Sequence, residues 1–236
     1  MLKLRINITF IRSFLITGDD MGYLLKRKLL HLFFPNRCPV CGELIDAMER
    51  FCSSCKDKLT RYDGNFSIDG AESFTAVFEY DDSIKPAIFL LKDGICGNAA
   101  YALGGELAGR LKGNISDIDV IVPAPMHRRD IRRRGFNQSA LIAAEVSRIL
   151  DIPADMKAVS KIRRTHTQKG LGKGGRAVNL RRAFSASDSL KGKKVLLIDD
   201  ICTTGSTLRE ITAEIKRAGA VSVYCACCCK TNSRKD

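Results

Sequence analysis

The chain has 236 residues, 45% of them hydrophobic, enough to bury a substantial core, and a formal net charge of +13. No apolar run is long enough to cross a bilayer as a helix; the partly apolar opening MLKLRINITFIRSFLITGDD is interrupted by Arg12 and lacks a small-residue cleavage pattern, which argues against a secretory signal. Ten cysteines in such a chain point to a reducing, cytoplasmic setting.

Residues 1–20 read either as a short amphipathic extension or as a stretch ahead of a start at Met21, and residues 1–27 are set apart as an N-terminal extension. Cys38 and Cys41 in CPVCG, followed by Cys52 and Cys55 in FCSSC, have the spacing of two knuckles around one tetrahedral zinc, with Gly42 allowing the turn after the second ligand. A redox pair or surface thiols would not need a second pair at this spacing. A four-cysteine site is closed to substrate, so the zinc is expected to be structural and to organise a ribbon module over residues 28–66.

The remainder, residues 67–236, alternates strand and helix. The patterns predict a strand over Ser73–Tyr80, a short helix over Ile84–Lys92, a longer helix over Asn98–Leu111, a buried strand over Asp119–Val122 and an amphipathic helix over Asn137–Leu150. A turn at Gly192–Lys194 leads into the strand Val195–Ile198, and a last strand begins at Val221. Such crossovers predict an α/β domain, a mainly parallel sheet with helices on both faces. Cys225, Cys227, Cys228 and Cys229 in the last strand read as small core residues, some facing outward, in preference to a second metal site. Cys96 and Cys202 stand alone, and Cys202 reads equally as a reactive thiol or as filler.

Two segments carry the whole formal charge excess. Arg128, Arg129, Arg132, Arg133 and Arg134 face only Asp130 in a loop after the Asp119–Val122 strand. From Lys157 to Arg182 there are nine lysines and arginines and no acid, among them Arg163, Arg164, Lys169 and Arg176, in a glycine-rich stretch that reads as mobile. A solubilising surface would spread its charge, so both segments are expected to meet anions. His166 in the second has no visible partner and reads as incidental rather than as an acid or base.

The chemistry concentrates in VLLIDDICTTGSTL, residues 195–208. Val195–Ile198 is a strand buried on both faces, and Asp199 and Asp200 stand at its carboxyl end, the edge where open α/β sheets bind ligands. Thr203, Thr204, Gly205, Ser206 and Thr207 then supply hydroxyls, a close backbone approach and the N–H groups of the next helix, all suited to a phosphate. The paired carboxylates suit ribose hydroxyls or a magnesium ion. An acidic strand end followed by a helix capped by Ser206 or Thr207 is the plainer alternative. The lysine-bearing GxxxxGK[ST] pattern is absent, which argues against a P-loop nucleoside triphosphatase.

This motif resembles the phosphoribosyl-diphosphate (PRPP) motif of type I phosphoribosyltransferases. The resemblance implies that Asp199 and Asp200 address the ribose hydroxyls, that Thr203–Thr207 hold the 5′-phosphate, and that magnesium accompanies PRPP. An acid stands at the place of Thr203 in purine-salvage members, so a 6-oxopurine acceptor is disfavoured. It also implies that Pro123, Ala124, Pro125, Met126 and His127 lie against the pyrophosphate with Arg128 near it, and that the stretch holding Arg163, Arg164, Gln168, Lys169 and Arg176 closes over the substrate. Taken together, CPVCG, FCSSC, LKDG at Leu91–Gly94, VPAP, RRGFNQS, THTQKGL, RAVNLRRAF and VLLIDDICTTGSTL resemble the ComF family. That likeness implies a zinc ribbon before a type I phosphoribosyltransferase domain, and a link in some bacteria to DNA uptake. Two functions follow: a transferase acting on PRPP, or a module that senses PRPP or a nucleotide while binding single-stranded DNA or a competence partner. Against the second, aromatic residues are sparse, with no tryptophan. The acceptor and the oligomeric state are not legible.

Overall fold

The computed structural model describes residues 20–93, 97–163 and 183–232. Helix α1 (Asp20–Phe33) leads into the four-cysteine segment, whose second pair begins the short helix α2 (Ser53–Lys56), with Cys52 at its N-cap and Cys55 within it. Then follow β1 (Ser73–Glu79), α3 (Lys85–Asp93), α4 (Gly97–Leu111), β2 (Val120–Pro123), α5 (Arg128–Arg134) and α6 (Gln138–Leu150). A two-stranded ribbon, β3 (Val159–Lys161) against β4 (Phe184–Ala186), precedes β5 (Lys194–Cys202), α7 (Ser206–Arg217) and β6 (Ser222–Lys230).

The sheet has four parallel strands in the order β1-β6-β5-β2. Its two central strands are buried on both sides, which is why they read as continuous apolar runs rather than alternating ones. Leu196 and Ile198 of β5 pack with Ala226 and Cys228 of β6 against α3, α4 and α6. Val195 and Leu197 pack with Val223, Cys225 and Cys227 against α7 and the β3–β4 ribbon. Leu196, Leu197 and Ile198 have no exposed surface, and burying each such side chain stabilises the fold by about 1.5–3 kcal/mol. The expected parallel sheet with helices on both faces is therefore the observed one.

Two expectations are corrected. None of Cys225, Cys227, Cys228 and Cys229 faces outward: they are at most 1% exposed, because β6 lies between β1 and β5 with both faces covered. The first basic segment is not a loop beyond residue 127 but the helix α5. His127 Nδ1 accepts the Arg129 N–H at its start, and Gly135, at φ 95°, ends it by donating to the Ile131 carbonyl. None of its residues is buried, so it carries no apolar periodicity to reveal it.

Helix α1 runs across the position, between residues 27 and 28, where the sequence suggests a boundary. Arg27 lies flat on the Tyr101 ring, 3.3 Å from its centroid, and donates to the Ala47 carbonyl (2.6 Å) and to Asn98 Oδ1 (3.1 Å). This one guanidinium joins α1, the cysteine segment and α4. Phe51, beside the cysteines, meets Phe78 of β1 edge to face at 6.2 Å. The two modules thus share apolar core.

Candidate functional site

The first cluster is the thiol one. The sulfur atoms of Cys38, Cys41, Cys52 and Cys55 all lie within 4.8 Å of one another, and Cys41 and Cys52 are 3.7 Å apart. Four thiolates on a tetrahedral zinc at about 2.3 Å stand about 3.8 Å from each other, so the donor set and its spacing fit that ion. Gly42, at φ 79°, makes the turn after the second cysteine in a conformation that disfavours side chains. Burial works to raise the Cys38 thiol, but backbone N–H groups of Cys41, Cys52 and Val40 prevail and lower it to about 7. Among the described residues no second cluster of this kind exists, and Cys225–Cys229 do not form one.

The second site is at the carboxyl end of β5. Asp199 and Asp200 are half-buried there. Asp199 Oδ1 accepts from Ser139 Oγ (2.9 Å), at the start of α6, and from the Asp200 N–H (2.9 Å). Asp200 Oδ1 accepts from the Ile201 N–H (2.8 Å), and its Oδ2 lies 3.7 Å from Lys92 Nζ at the end of α3. Burial, and then the neighbouring Asp200, hold the Asp199 carboxyl well above the usual carboxylate range, against the pull of Ser139. Lys161 of β3 is lowered by its own burial, which the charges of Asp130 and Asp199 oppose.

Beyond Cys202 the chain turns through Thr203–Gly205 into α7. Thr204 and Ser206 join hydroxyls at 2.8 Å. The residue capping α7 is Gly205, at φ 76°, and no side chain satisfies the first turn, so neither Ser206 nor Thr207 is the cap. Open N–H groups and the positive end of the helix are left for an anion. Glycine is required at this point: a Cβ on it would stand 2.6 Å from Ile68 Cδ1 and 3.0 Å from Phe66 Cζ, residues at the end of the cysteine module and just past it. Cys202 is buried beneath the turn, its thiol lowered by hydrogen bonding with Cys227, with smaller contributions from Lys230 and the Gly205 N–H.

The Pro123–His127 loop lies alongside. The Ala124 N–H donates to the Ile198 carbonyl (2.7 Å), one residue before Asp199, and the Ala124 carbonyl accepts from Asn137 Nδ2 (2.9 Å). Asn137 Oδ1 in turn accepts from the Ser139 N–H (3.2 Å), capping α6. The start of α6 thereby braces both the loop and Asp199. Pro125, Met126 and His127 are half-exposed, and Arg128 is exposed at the start of α5. Of the second basic segment, Arg163 sits where the N–H groups of Ile162 and Arg163 both reach the Ala183 carbonyl. Arg164, His166, Gln168, Lys169 and Arg176 lie outside the described residues.

The structure thus gathers Asp199, Asp200, Thr203–Thr207 and Pro123–Arg128 at one sheet edge, and the four cysteines with one another. Ser139, Lys92 and Lys230 are not singled out by the sequence, where Lys161 enters as one of the cations of the basic run from Lys157 to Arg182. Ser139 and Lys92 do fall in the segments RRGFNQS and LKDG, and Lys230 closes an otherwise apolar strand.

Comparison with known proteins agrees with this architecture. Residues 29–66 match the double zinc ribbon domain, and residues 137–236 match the phosphoribosyl transferase domain. The chain is 32% identical over 199 residues to the DNA utilization protein YhgH of Escherichia coli strain K12, spanning 82% of this chain and 84% of that one. It is 37% identical over 108 residues to competence protein F of Haemophilus influenzae (44% of this chain, 47% of that one). With competence protein ComFC of Bacillus subtilis it shares 25% over 203 residues (86% and 80%). Among solved structures, the glutamine PRPP amidotransferase of B. subtilis superposes with a TM-score of 0.39 at 22% identity, over 58% of this chain and 26% of that one. With both domains matched in order and a relative aligned over most of its length, the chain belongs to the ComF family, a double zinc ribbon followed by a type I phosphoribosyltransferase fold.

Proposed function

We propose that the protein binds PRPP at the end of β5 and transfers its ribosyl 5-phosphate group with release of pyrophosphate. The observation that carries this reading is the adjacency of two carboxylates, Asp199 and Asp200, to a helix start left uncapped at Gly205. In this reading Asp199 and Asp200 hold the ribose hydroxyls, and the N–H groups and hydroxyls of Thr203–Thr207 hold the 5′-phosphate. Pro123–His127, with Arg128, faces the pyrophosphate, and the cationic stretch from Arg163 covers the site, excluding water. Positive groups placed where the leaving group gathers charge would lower the barrier to its departure. The two carboxylates are the hard oxygen donors that magnesium takes, and bound with PRPP the ion would neutralise diphosphate charge. Zinc on Cys38, Cys41, Cys52 and Cys55 is structural in this reading, and the thiols it needs favour a reducing, cytoplasmic setting.

The names of the relatives, DNA utilization and competence, lead us to place the activity in DNA uptake or use. They also support a second reading, a PRPP- or nucleotide-sensing module that binds single-stranded DNA or a competence partner. The outward arginines of α5 favour it, and its DNA binding would weaken steeply with salt.

Calorimetry with PRPP and magnesium tests the pocket: the combined Asp199→Asn and Asp200→Asn substitutions should abolish binding while leaving zinc content intact, and unchanged affinity sinks the assignment. Pyrophosphate release across a panel of bases and amines separates the two readings. Turnover with any acceptor supports the transferase, whereas silence together with salt-sensitive DNA binding supports the module.

A further inference from the structure

Lys230, the last residue of β6, is 2% exposed, and among the described residues no carboxylate pairs with it. Its Nζ donates to the carbonyls of Thr203 (2.9 Å) and Thr231 (2.6 Å) and stands 4.3 Å from the centre of the Phe66 ring. A buried ammonium is costly unless its donors are used, and here two carbonyls and a ring face use them. The Thr203 carbonyl belongs to the turn itself. Across a trans peptide C=O and N–H point in opposite directions, so drawing that carbonyl inward aims the Thr204 N–H away from Lys230, in the turn that also carries the paired hydroxyls of Thr204 and Ser206.

We propose that Lys230 is a positioning residue for the sugar phosphate, an inference that rests on the PRPP reading of the site. It holds the Thr203–Thr204 peptide in the orientation that offers an N–H to the phosphate, and it sets a positive charge behind the turn. A phosphate dianion meets the α7 start, the hydroxyls and that N–H in front, and Lys230 from below through low-dielectric protein. The ammonium touches no substrate atom. Its effect is confined to the phosphate end, since the pyrophosphate loop is braced by Ile198 and Asn137 instead.

The test measures affinity of the full chain for three probes: PRPP with magnesium, ribose 5-phosphate and inorganic pyrophosphate. Lys230→Met keeps most of the apolar stem but removes Nζ, and with it the donors, the charge and the contact with the Phe66 ring; Lys230→Gln keeps a shorter, uncharged donor. The Met substitution should weaken ribose 5-phosphate about tenfold or more and the Gln substitution less, with pyrophosphate affinity held within about twofold. Ribose 5-phosphate affinity within about twofold of wild type in a cooperatively melting Met variant overturns the proposal, as does an equal loss for both probes. Should the Met variant not fold, the Gln variant decides by the same two criteria. If the unsubstituted chain binds neither PRPP nor ribose 5-phosphate, the site reading itself has failed, and the wild-type measurement alone shows it.

Discussion

Gly205→Ala is the sharpest probe of how the turn before α7 is built. The residue is at φ 76°, where alanine costs about 1–2 kcal/mol over glycine. Its new Cβ would stand 2.6 Å from Ile68 Cδ1 and 3.0 Å from Phe66 Cζ. Ile68 is only 3% exposed, so its methyl has little room to retreat, and relieving the overlap adds about 1 kcal/mol. The expected loss is about 2–3 kcal/mol in total. Urea denaturation of the full chain, followed by circular dichroism, reads it. The decisive comparison is with Ile68→Ala, which alone should cost about 2–5 kcal/mol. In that background the overlap with Ile68 disappears, leaving the backbone cost and the tight approach to Phe66, so the double substitution should fall short of additivity by about 1 kcal/mol. Additivity to within about 0.3–0.5 kcal/mol would refute the contact between this segment and the turn.

Asn137→Ala removes a helix cap and orphans the Ala124 carbonyl; at about 1 kcal/mol each this predicts a loss of about 2 kcal/mol and a melting point lower by about 4–8 °C. Asn137→Asp keeps the cap acceptor and should lose about half as much; equal losses would show that the loop bond contributes nothing. Asp199→Asn should stabilise the ligand-free protein. Because burial and Asp200 raise the Asp199 carboxyl, the folded state retains a proton that the unfolded chain has released. That stability contribution is present below the ordinary carboxylate range and lost as pH rises toward the raised value, so the variant's advantage should be absent at acid pH and grow as pH is raised from there. Melting curves that run parallel across that range contradict it. Zinc should be present at about one ion per chain, leave with strong chelators or mild acid, and be lost in Cys38→Ser, with a lower melting point because Phe51 and Phe78 share the core beneath it. A metal-free protein with unchanged melting would remove the structural role.

What the sequence made legible was local. The four-cysteine spacing and the run from Val195 to Thr207 each lie within one short segment, so the ligand spacing of the one and the strand, acid, turn and helix order of the other follow from neighbouring residues alone. The orientation of Cys225–Cys229 was not, because the burial of a strand depends on its neighbours: β6 could be read as one-sided until β1 and β5 were seen on either side of it. Helix α5 escaped because a helix without a buried face leaves no apolar period. The residues that brace the site, Ser139 on Asp199, Lys92 by Asp200 and Phe66 and Ile68 under Gly205, come from three separate places in the chain, and only the folded topology brings them to one edge.

The open start of α7 has a dynamic consequence. A helix whose first turn lacks a side-chain cap breathes at that end, and its leading amides exchange with solvent faster than those of a capped helix such as α6. A bound phosphate would act as the missing cap. Ligand binding would then register as slowed hydrogen exchange at residues 206–208, so that the substrate completes a piece of secondary structure which the polypeptide leaves unfinished.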